Sequence, residues 1–459
     1  MTNNSPWIAQ LNFKRRSVSL LDDATADVAV IGGGIAGLAT AYFLLQHTDK
    51  SVVLLEADKI AHGATGHNAG QLVSYFERDF TELVEEFGLE QAAAGQAAVE
   101  SAWQLLEGMI ADAALSLPLH RFTGYDGYST LEQLLSRLEE DKLRHEAGLR
   151  VEEILVADDP LIQLRIPDEY VSLYRVVGRQ DISDLLETTN HSYIAAKGSA
   201  KGCMNSALLC EQLAEWLEES FNGRFWLYEA SPVKRLRLTK NNCILECQQR
   251  TVIAEHTVLC TNGFESIQIT NENGVDIDGR FHECVEGTIG YMGAFISHEN
   301  RPPTALSYFE ASRQSRLDPY VYLTRRPHEG EGRRAKNLIC VGGPEIGLDD
   351  KSAYDRSAHP YPSEAQVAID GFMKRNFRNY PQETKYDFTW HGLMGYTKNG
   401  VRLIGFEPCN HHLLYNLGCN GVGLLPSIYG ASRISRLLSG EILPPSMFDV
   451  QDKRCFLPQ

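Results

Sequence analysis

Gly32, Gly34 and Gly37 stand in the run Gly32-Gly33-Gly34-Ile35-Ala36-Gly37, the G-x-G-x-x-G spacing of a turn that can cradle a dinucleotide pyrophosphate. Each glycine has its own task there. Gly32 would make the tight turn, Gly34 would let backbone approach the phosphates, and Gly37 would let a helix lie close on a strand. The amides of Ile35 and Ala36, at the positive end of that helix, would point at the anion. Glu56 offers a carboxylate to the hydroxyls of a ribose, with Ala57 beside it. A second glycine-rich run, Asn416-Leu417-Gly418-Cys419-Asn420-Gly421-Val422-Gly423-Leu424, could crowd free amides against a ligand edge and stabilise negative charge building there.

The elements that must position these residues are legible around them. Val28 to Ile31 reads as a buried strand, Ile35 to Leu45 as an apolar helix, and Val52 to Leu55 as a second buried strand ending at Glu56. That is a βαβ unit over about 26–57, in which either NAD or FAD would fit. The stretch 26–45 is apolar enough to imitate a membrane span, but Asp27, the glycines and the change from strand to helix favour a buried soluble unit. Apolar spacing of three and four predicts one helix over 80–115. A second is predicted over 129–147 with Ser129 as N-cap and Glu132 three residues on, and a third over 205–220. Short strands are expected at RFWLYEA, VKRLRLT, CILECQQ and EHTVLCT, and strand-like runs alternate with loops over 280–345. The segment 326–336 reads as a solvated hairpin tip, 427–438 as a final helix, and 1–25 as a polar arm lying over the domain.

After Glu56 comes Ile60-Ala61-His62-Gly63-Ala64-Thr65-Gly66-His67-Asn68-Ala69-Gly70-Gln71-Leu72. Together with the first glycine run, this resembles the start of the D-amino-acid oxidase superfamily, which includes glycine oxidase, sarcosine oxidase and dimethylglycine dehydrogenase. The resemblance implies FAD, held along Ala64, Thr65, Gly66, His67, Asn68, Ala69, Gly70, Gln71 and Leu72. Further stations follow in order. Ser231-Pro232-Val233 resembles the strand whose valine backbone reads the adenine, and Thr261-Asn262-Gly263 resembles the strand end that closes over the nucleotide. Gly395, in Gly392-Leu393-Met394-Gly395-Tyr396-Thr397, resembles a strand returning to the cofactor. Asn420, Gly421, Val422, Gly423 and Leu424 resemble the loop at the flavin pyrimidine. Cys260 and Asn262 depart from the usual small residues.

The resemblance implies an α/β fold with a discontinuous Rossmann-like FAD-binding domain (1–80, 186–266 and 388–445). Beside it a substrate domain on a mixed, mostly antiparallel sheet (81–185 and 267–387) and a tail (446–459) are expected. It further implies oxidation of the C–N bond of a small amine or amino acid by hydride transfer to flavin, the imine then hydrolysing, with O2 or an electron carrier as acceptor. A dehydrogenase, or a maturation factor acting on a partner protein, is the alternative. His67 stands where some members bond a histidine to the flavin and others keep arginine; non-covalent FAD is preferred, with a covalent link through His67 left open. Alternation along 318–326 puts Tyr320, Tyr322 and Thr324 on one strand face, and Tyr320 and Tyr322 are the candidate catalytic residues. Tyr291, Met292, His391 and Lys398 are weaker candidates, and His411-His412 are read as surface residues on a turn.

Composition agrees with a soluble enzyme. The chain has 459 residues, 22% of them charged, and a formal net charge of −17, which disfavours nucleic acid and anionic lipid. The ten cysteines are scattered without a C-x-x-C pair, so reduced thiols, no metal site and a cytoplasmic location are expected. No apolar run of signal-peptide length lies in the first twenty residues.

Overall fold

The computed structural model describes residues 3–11, 15–264, 266–311, 320–328, 336–350, 354–378, 380–381 and 384–451. Two large sheets organise the chain. The first is built on Ala24–Ile31, flanked in parallel by Val52–Leu55 and Arg250–Leu259. Phe225–Tyr228 extends it in parallel beyond Val52–Leu55, and Asn410–Leu417 pairs in parallel with Arg250–Leu259. Parallel strands must be covered on both faces, which is why Val28, Val30, Val52 and Leu54 serve one buried cluster while Ala29, Ile31, Val53 and Leu55 serve another. The helix Ile35–His47 packs on the first face beside Leu424–Leu438.

The second sheet is mixed. Phe388–Thr397, Val285–Ser297, Lys336–Leu348, Val321–His328 and Thr304–Phe309 run antiparallel in that spatial order. Thr304–Phe309 then meets His120–Tyr128 in parallel, and Ala195–Cys203 follows antiparallel. Four strands cross the division expected from sequence. Gln71–Val73, Ala195–Cys203 and Phe388–Thr397 pair in the second sheet, and Gln268–Asn271 pairs in the first. Hydrophobic pattern says that a strand exists, whereas its sheet is decided by partners far along the chain.

Local expectations are corrected in several places. The helix expected over 80–115 is two, Phe80–Phe87 and Leu89–Asp112, because Gly88 takes φ 81°. The next helix, Leu131–Glu146, is capped by Thr130 rather than Ser129, with Gln133 completing a reciprocal capping box. The last helix begins at Leu424, not Ser427. His411 and His412 lie on the strand Asn410–Leu417 rather than on a turn. Of the expected hairpin tip, 326–328 and 336 belong to strands and 329–335 lie outside the described residues, as does 452–459 of the expected tail. Among the described residues eight cysteines are free thiols, whereas Cys409 is disulfide-bonded, against the expectation of reduced thiols throughout.

Candidate active site

A cavity of about 1420 Å³ opens where the ends of the first sheet's strands meet the second sheet. Its floor is the first glycine turn. Gly32 has φ 111°, and a Cβ there would lie 2.7 Å from the carbonyl oxygen of Cys260. Gly37 lies behind the turn, where a Cβ would come within 1.9 Å of Gly32 O. The helix can therefore start this close to the strand only with glycine at both positions. Gly34 is the N-cap, and the amide of Ile35 donates to Thr65 Oγ1 at 3.1 Å. Glu56 accepts from the amides of Gly33 (2.7 Å) and Asp58 (2.9 Å), so its carboxylate is held at the edge of the turn.

The loop after Glu56 forms one wall. Ala64–Gly66 is a single 3-10 turn, tied by Asn68, whose amide donates to Thr65 O at 2.6 Å and to Ser206 Oγ at 2.9 Å. His67 follows, nearly buried, with Nδ1 3.0 Å from Gly63 O. A carbonyl only accepts, so Nδ1 carries the proton and Nε2 keeps its lone pair. Burial, opposed by that hydrogen bond, pulls the His67 imidazole down to about 4, and burial brings His391 to about 4 as well. Between pH 6.5 and 4 the unfolded chain therefore binds protons that the folded chain refuses. Stability should fall as pH drops through that window, by up to about 1.4 kcal/mol per pH unit for each histidine. Melting temperature against pH should show this, with a shallower fall in His67→Gln.

The second glycine-rich loop closes the cavity from the far side. Asn420 adopts φ 46°, between Gly418 at 82° and Gly421 at 77°. Asn420 Oδ1 accepts from the amide of Thr397 at 2.8 Å, which ties the loop to the second sheet. Arg402, fully buried, donates to Asn416 Oδ1 (2.5 Å), Asn416 O (2.7 Å) and Gly418 O (3.2 Å). Its guanidinium is brought down to about 10 by burial.

Tyrosines line the third wall. Tyr320 donates to Glu77 Oε1 at 2.9 Å and stacks on Phe309 with ring centres 4.6 Å apart. Tyr322 stands edge-on to Tyr320 at 5.7 Å, and Tyr75 and Tyr396 complete the lining. Behind Tyr75, 5.9 Å from its ring, lies the ammonium of Lys201, fully buried and paired with Asp126 at 2.6 Å. Burial, with neighbouring carboxylates, raises all four tyrosine hydroxyls, so they are protonated donors at neutral pH.

Most of the residues singled out by sequence meet here. Gly32, Gly34, Ile35, Ala36, Glu56 and Ala57 line the cavity at one end. Ala64, Thr65, His67, Asn68, Ala69 and Gln71 line one side, and Thr261 and Asn262 face them. Asn420, Gly421, Val422, Gly423 and Leu424 form the far side, with Tyr320 and Tyr322 beyond. Seven are not brought to the lining. Gly37, Gly66 and Gly70 pack behind it against Gly32, Ile8 and Trp7 respectively. Leu72 and Val233 are in the core, and Gly263 and Gly395 pack on Val285. Of the weaker candidates Met292 and Lys398 reach the cavity, while Tyr291 and His391 belong to a neighbouring aromatic cluster. Thr324, though on the same strand face as the tyrosines, is buried away from the lining. Missed altogether were Tyr75, Glu77, Glu345 and Arg356. Tyr396 and Arg402 had a signal in the two runs, 392–397 and 402–405, that resemble a strand pair returning to the cofactor, although the strands Phe388–Thr397 and Leu403–Glu407 pair elsewhere and not with each other.

The shape fits a dinucleotide. The cavity exceeds the roughly 300–1,000 Å³ of ordinary small-ligand sites and runs from a helix start to an aromatic end. Gly32 and Gly34 leave room that side chains would fill, and Thr261 keeps a buried hydroxyl without a partner among the described residues. The description "DAO: FAD dependent oxidoreductase" matches residues 27–437. The chain belongs to this family. It is a flavoenzyme oxidoreductase, and its cofactor is FAD.

Solved structures share the architecture. Glycine oxidase from Geobacillus kaustophilus superposes with a TM-score of 0.66 at 15% identity, over 93% of this chain and 99% of its own. L-proline dehydrogenase from P. horikoshii gives 0.66 at 15% identity, over 94% and 97%. Gamma-glutamylputrescine oxidoreductase of Escherichia coli (strain K12) is 40% identical over 74 residues, 16% of this chain and 17% of that protein. That match thus spans about a sixth of the relative's length. Among the described residues no helix is long and apolar enough to cross a membrane.

Proposed function

We propose that this protein oxidises the C–N bond of a small amine or amino acid. The observation carrying this reading is the enclosed tyrosine wall, which adjoins the second glycine-rich loop and holds its hydroxyls protonated. Bound FAD supplies a two-electron acceptor for the hydride leaving the carbon beside nitrogen. The chain's residues hold, orient and exclude water. Gly32, Gly34 and Ile35 would take the diphosphate, Glu56 would stand at the ribose, and the amides of 420–424 would meet the flavin ring. Tyr320 and Tyr322 would press the substrate into place, the substrate amine arriving neutral so that its lone pair can form the C=N bond. The nitrogen's proton leaves to water, and water then cleaves the imine. The relatives' names, which include an amino-acid oxidase, a dehydrogenase and an amine oxidoreductase, agree with this class of substrate.

His67 bears on how the cofactor is held. Its neutral Nε2 is chemically able to form a bond, but the Nδ1 bond to Gly63 O holds the imidazole as part of the wall. We take FAD as non-covalent; acid precipitation should leave the yellow colour in the supernatant. The reading as a whole is tested by mixing the holoenzyme with amines and amino acids without oxygen. Bleaching of the flavin by at least one of them is expected, and recolouring in air would report whether oxygen or a carrier takes the electrons. No bleaching across the panel would sink it.

A further inference from the structure

Arg356 reaches the cofactor turn from the second sheet's side of the cavity. It stands in a tight turn beyond Lys336–Leu348, where Asp355 Oδ1 accepts from the amides of Ser357 (2.8 Å) and Ala358 (3.2 Å), and Asp355 O accepts from the amide of His359 (2.7 Å). A histidine of the strand Phe388–Thr397 fastens that turn. Tyr354 donates to His391 Nδ1 at 2.9 Å, and His391 Nε2 donates to the carbonyl of His359 at 3.1 Å. A carbonyl only accepts, so the ring's proton sits on Nε2. Asn3 Nδ2 donates to Arg356 O at 3.3 Å. From this anchored backbone the guanidinium donates to the carboxylate of Asp58 and the carbonyl of His62, and it lines the cavity beside Ala57 and Gly63.

The charge at that turn calls for such a partner. FAD brings a doubly anionic diphosphate to a turn where Glu56 and Asp58 already set carboxylates in the cavity wall. The helix start offers only about half an elementary charge. His67, in the same wall, is neutral above about 4. The other cations of the lining lie elsewhere: Arg402 donates to Asn416 and Gly418, and Arg78 donates to the carbonyl of Asn399, next to Lys398. Among the described residues, then, Arg356 brings the full positive charge to the cofactor end of the lining. Without it, the Asp58 carboxylate would repel the diphosphate with no cation of the lining to offset it.

We propose that Arg356 retains FAD by offsetting the Asp58 carboxylate, a charge clasp that the second sheet supplies to the nucleotide turn. Arg356 is thereby a positioning residue for the cofactor, whichever substrate is oxidised. The inference rests on the non-covalent FAD taken above. The Asp58 side chain is 55% exposed, so dissolved salt reaches the pair and makes it measurable.

The test follows FAD release from the diluted holoenzyme by free-flavin fluorescence, at low salt and at about 1 M, where the screening length is about 3 Å. Arg356→Met should release FAD roughly tenfold or more faster at low salt, with the difference shrinking at high salt. Arg356→Lys, which keeps the charge, should fall between. Adding Asp58→Asn to Arg356→Met should restore most of the retention, because the carboxylate left behind is what repels. Release equal to wild type in Arg356→Met overturns the clasp, and so does faster release that neither salt nor Asp58→Asn repairs, the mark of a merely structural arginine. If Arg356→Met does not fold, Asp58→Asn alone decides: release no faster than wild type supports the clasp, and faster release overturns it. Acid precipitation of the wild type comes first. Colour in the pellet ends both the clasp and the non-covalent reading, whereas colour in the supernatant with unrepaired release ends the clasp alone.

Discussion

Gly37→Ala is expected to yield protein that purifies almost without flavin and melts well below the wild type. The added carbon would sit 1.9 Å from Gly32 O, 3.1 Å from Gly32 C and 3.3 Å from a Val30 methyl. Two of the atoms in conflict belong to backbone, so no side-chain rotation relieves them. The helix Ile35–His47 must move away from the turn, and its packing on Leu424–Leu438 moves with it. Overpacking of this kind costs roughly 3 kcal/mol of stability. The amides at the helix start also leave the position where they meet a diphosphate, and FAD affinity should fall roughly 100-fold, since each tenfold is about 1.4 kcal/mol. Gly108→Ala is the control. It lies in Leu89–Asp112, its added carbon meets nothing within 4 Å, and helix propensity predicts a slight gain of up to about 1 kcal/mol. Flavin-to-protein absorbance ratio and melting temperature check both. A yellow, equally stable Gly37→Ala would refute the assignment of this turn.

Arg402→Met should loosen the second glycine-rich loop from the other side. Burial opposes the guanidinium and brings it down to about 10, a cost on the order of 3 kcal/mol. Against this stand three hydrogen bonds from a charged donor, worth roughly 1.5–3 kcal/mol each, so the bonds outweigh the burial. Methionine fills similar volume but takes the guanidinium donors from Asn416 Oδ1 and Asn416 O and leaves Gly418 O with the Asn420 side-chain amide alone, at 3.2 Å. A loss of about 3 kcal/mol in urea unfolding is expected, together with faster FAD release. Lysine at the same position should fall between, because one ammonium cannot reach all three acceptors in the geometry of the fork. Unchanged FAD release in Arg402→Met would mean that the loop does not need its tether.

How much of this the sequence carried depends on the kind of information each residue uses. The turn at Gly32 and the loop at Gly421 are local: a few positions need backbone freedom or a close approach, and only glycine supplies it. Tyr320 and Tyr322 were reachable through the two-residue alternation of a strand, although Thr324, on the same face, runs into the core. Glu77 and Tyr75 lie in a short stretch without period, so nothing in their neighbourhood points inward. Arg402 opens a run that resembles a strand returning to the cofactor, but its role exists only because Asn416 and Gly418 come round to it. Which sheet a strand joins is hidden from the sequence for the same reason. Phe388–Thr397 is an evident strand, but its partner is Val285–Ser297, about a hundred residues earlier.

The segment around Trp7 has a bearing on biosynthesis. Trp7 is fully buried beneath the loop that carries His67, donating to Asn68 O at 2.6 Å, while Ser5 donates to Gly66 O at 2.5 Å. Trp7 also meets Trp390 edge-on at 6.5 Å, and Asn3 binds the backbone of His391. Residues 3–7 thus wait for Trp390 and His391, made long after them, before their own seat exists. A nascent chain carrying every glycine of the nucleotide turn still lacks the wedge that holds the flavin loop shut, so cofactor loading belongs after release, and stalled translation products would remain colourless.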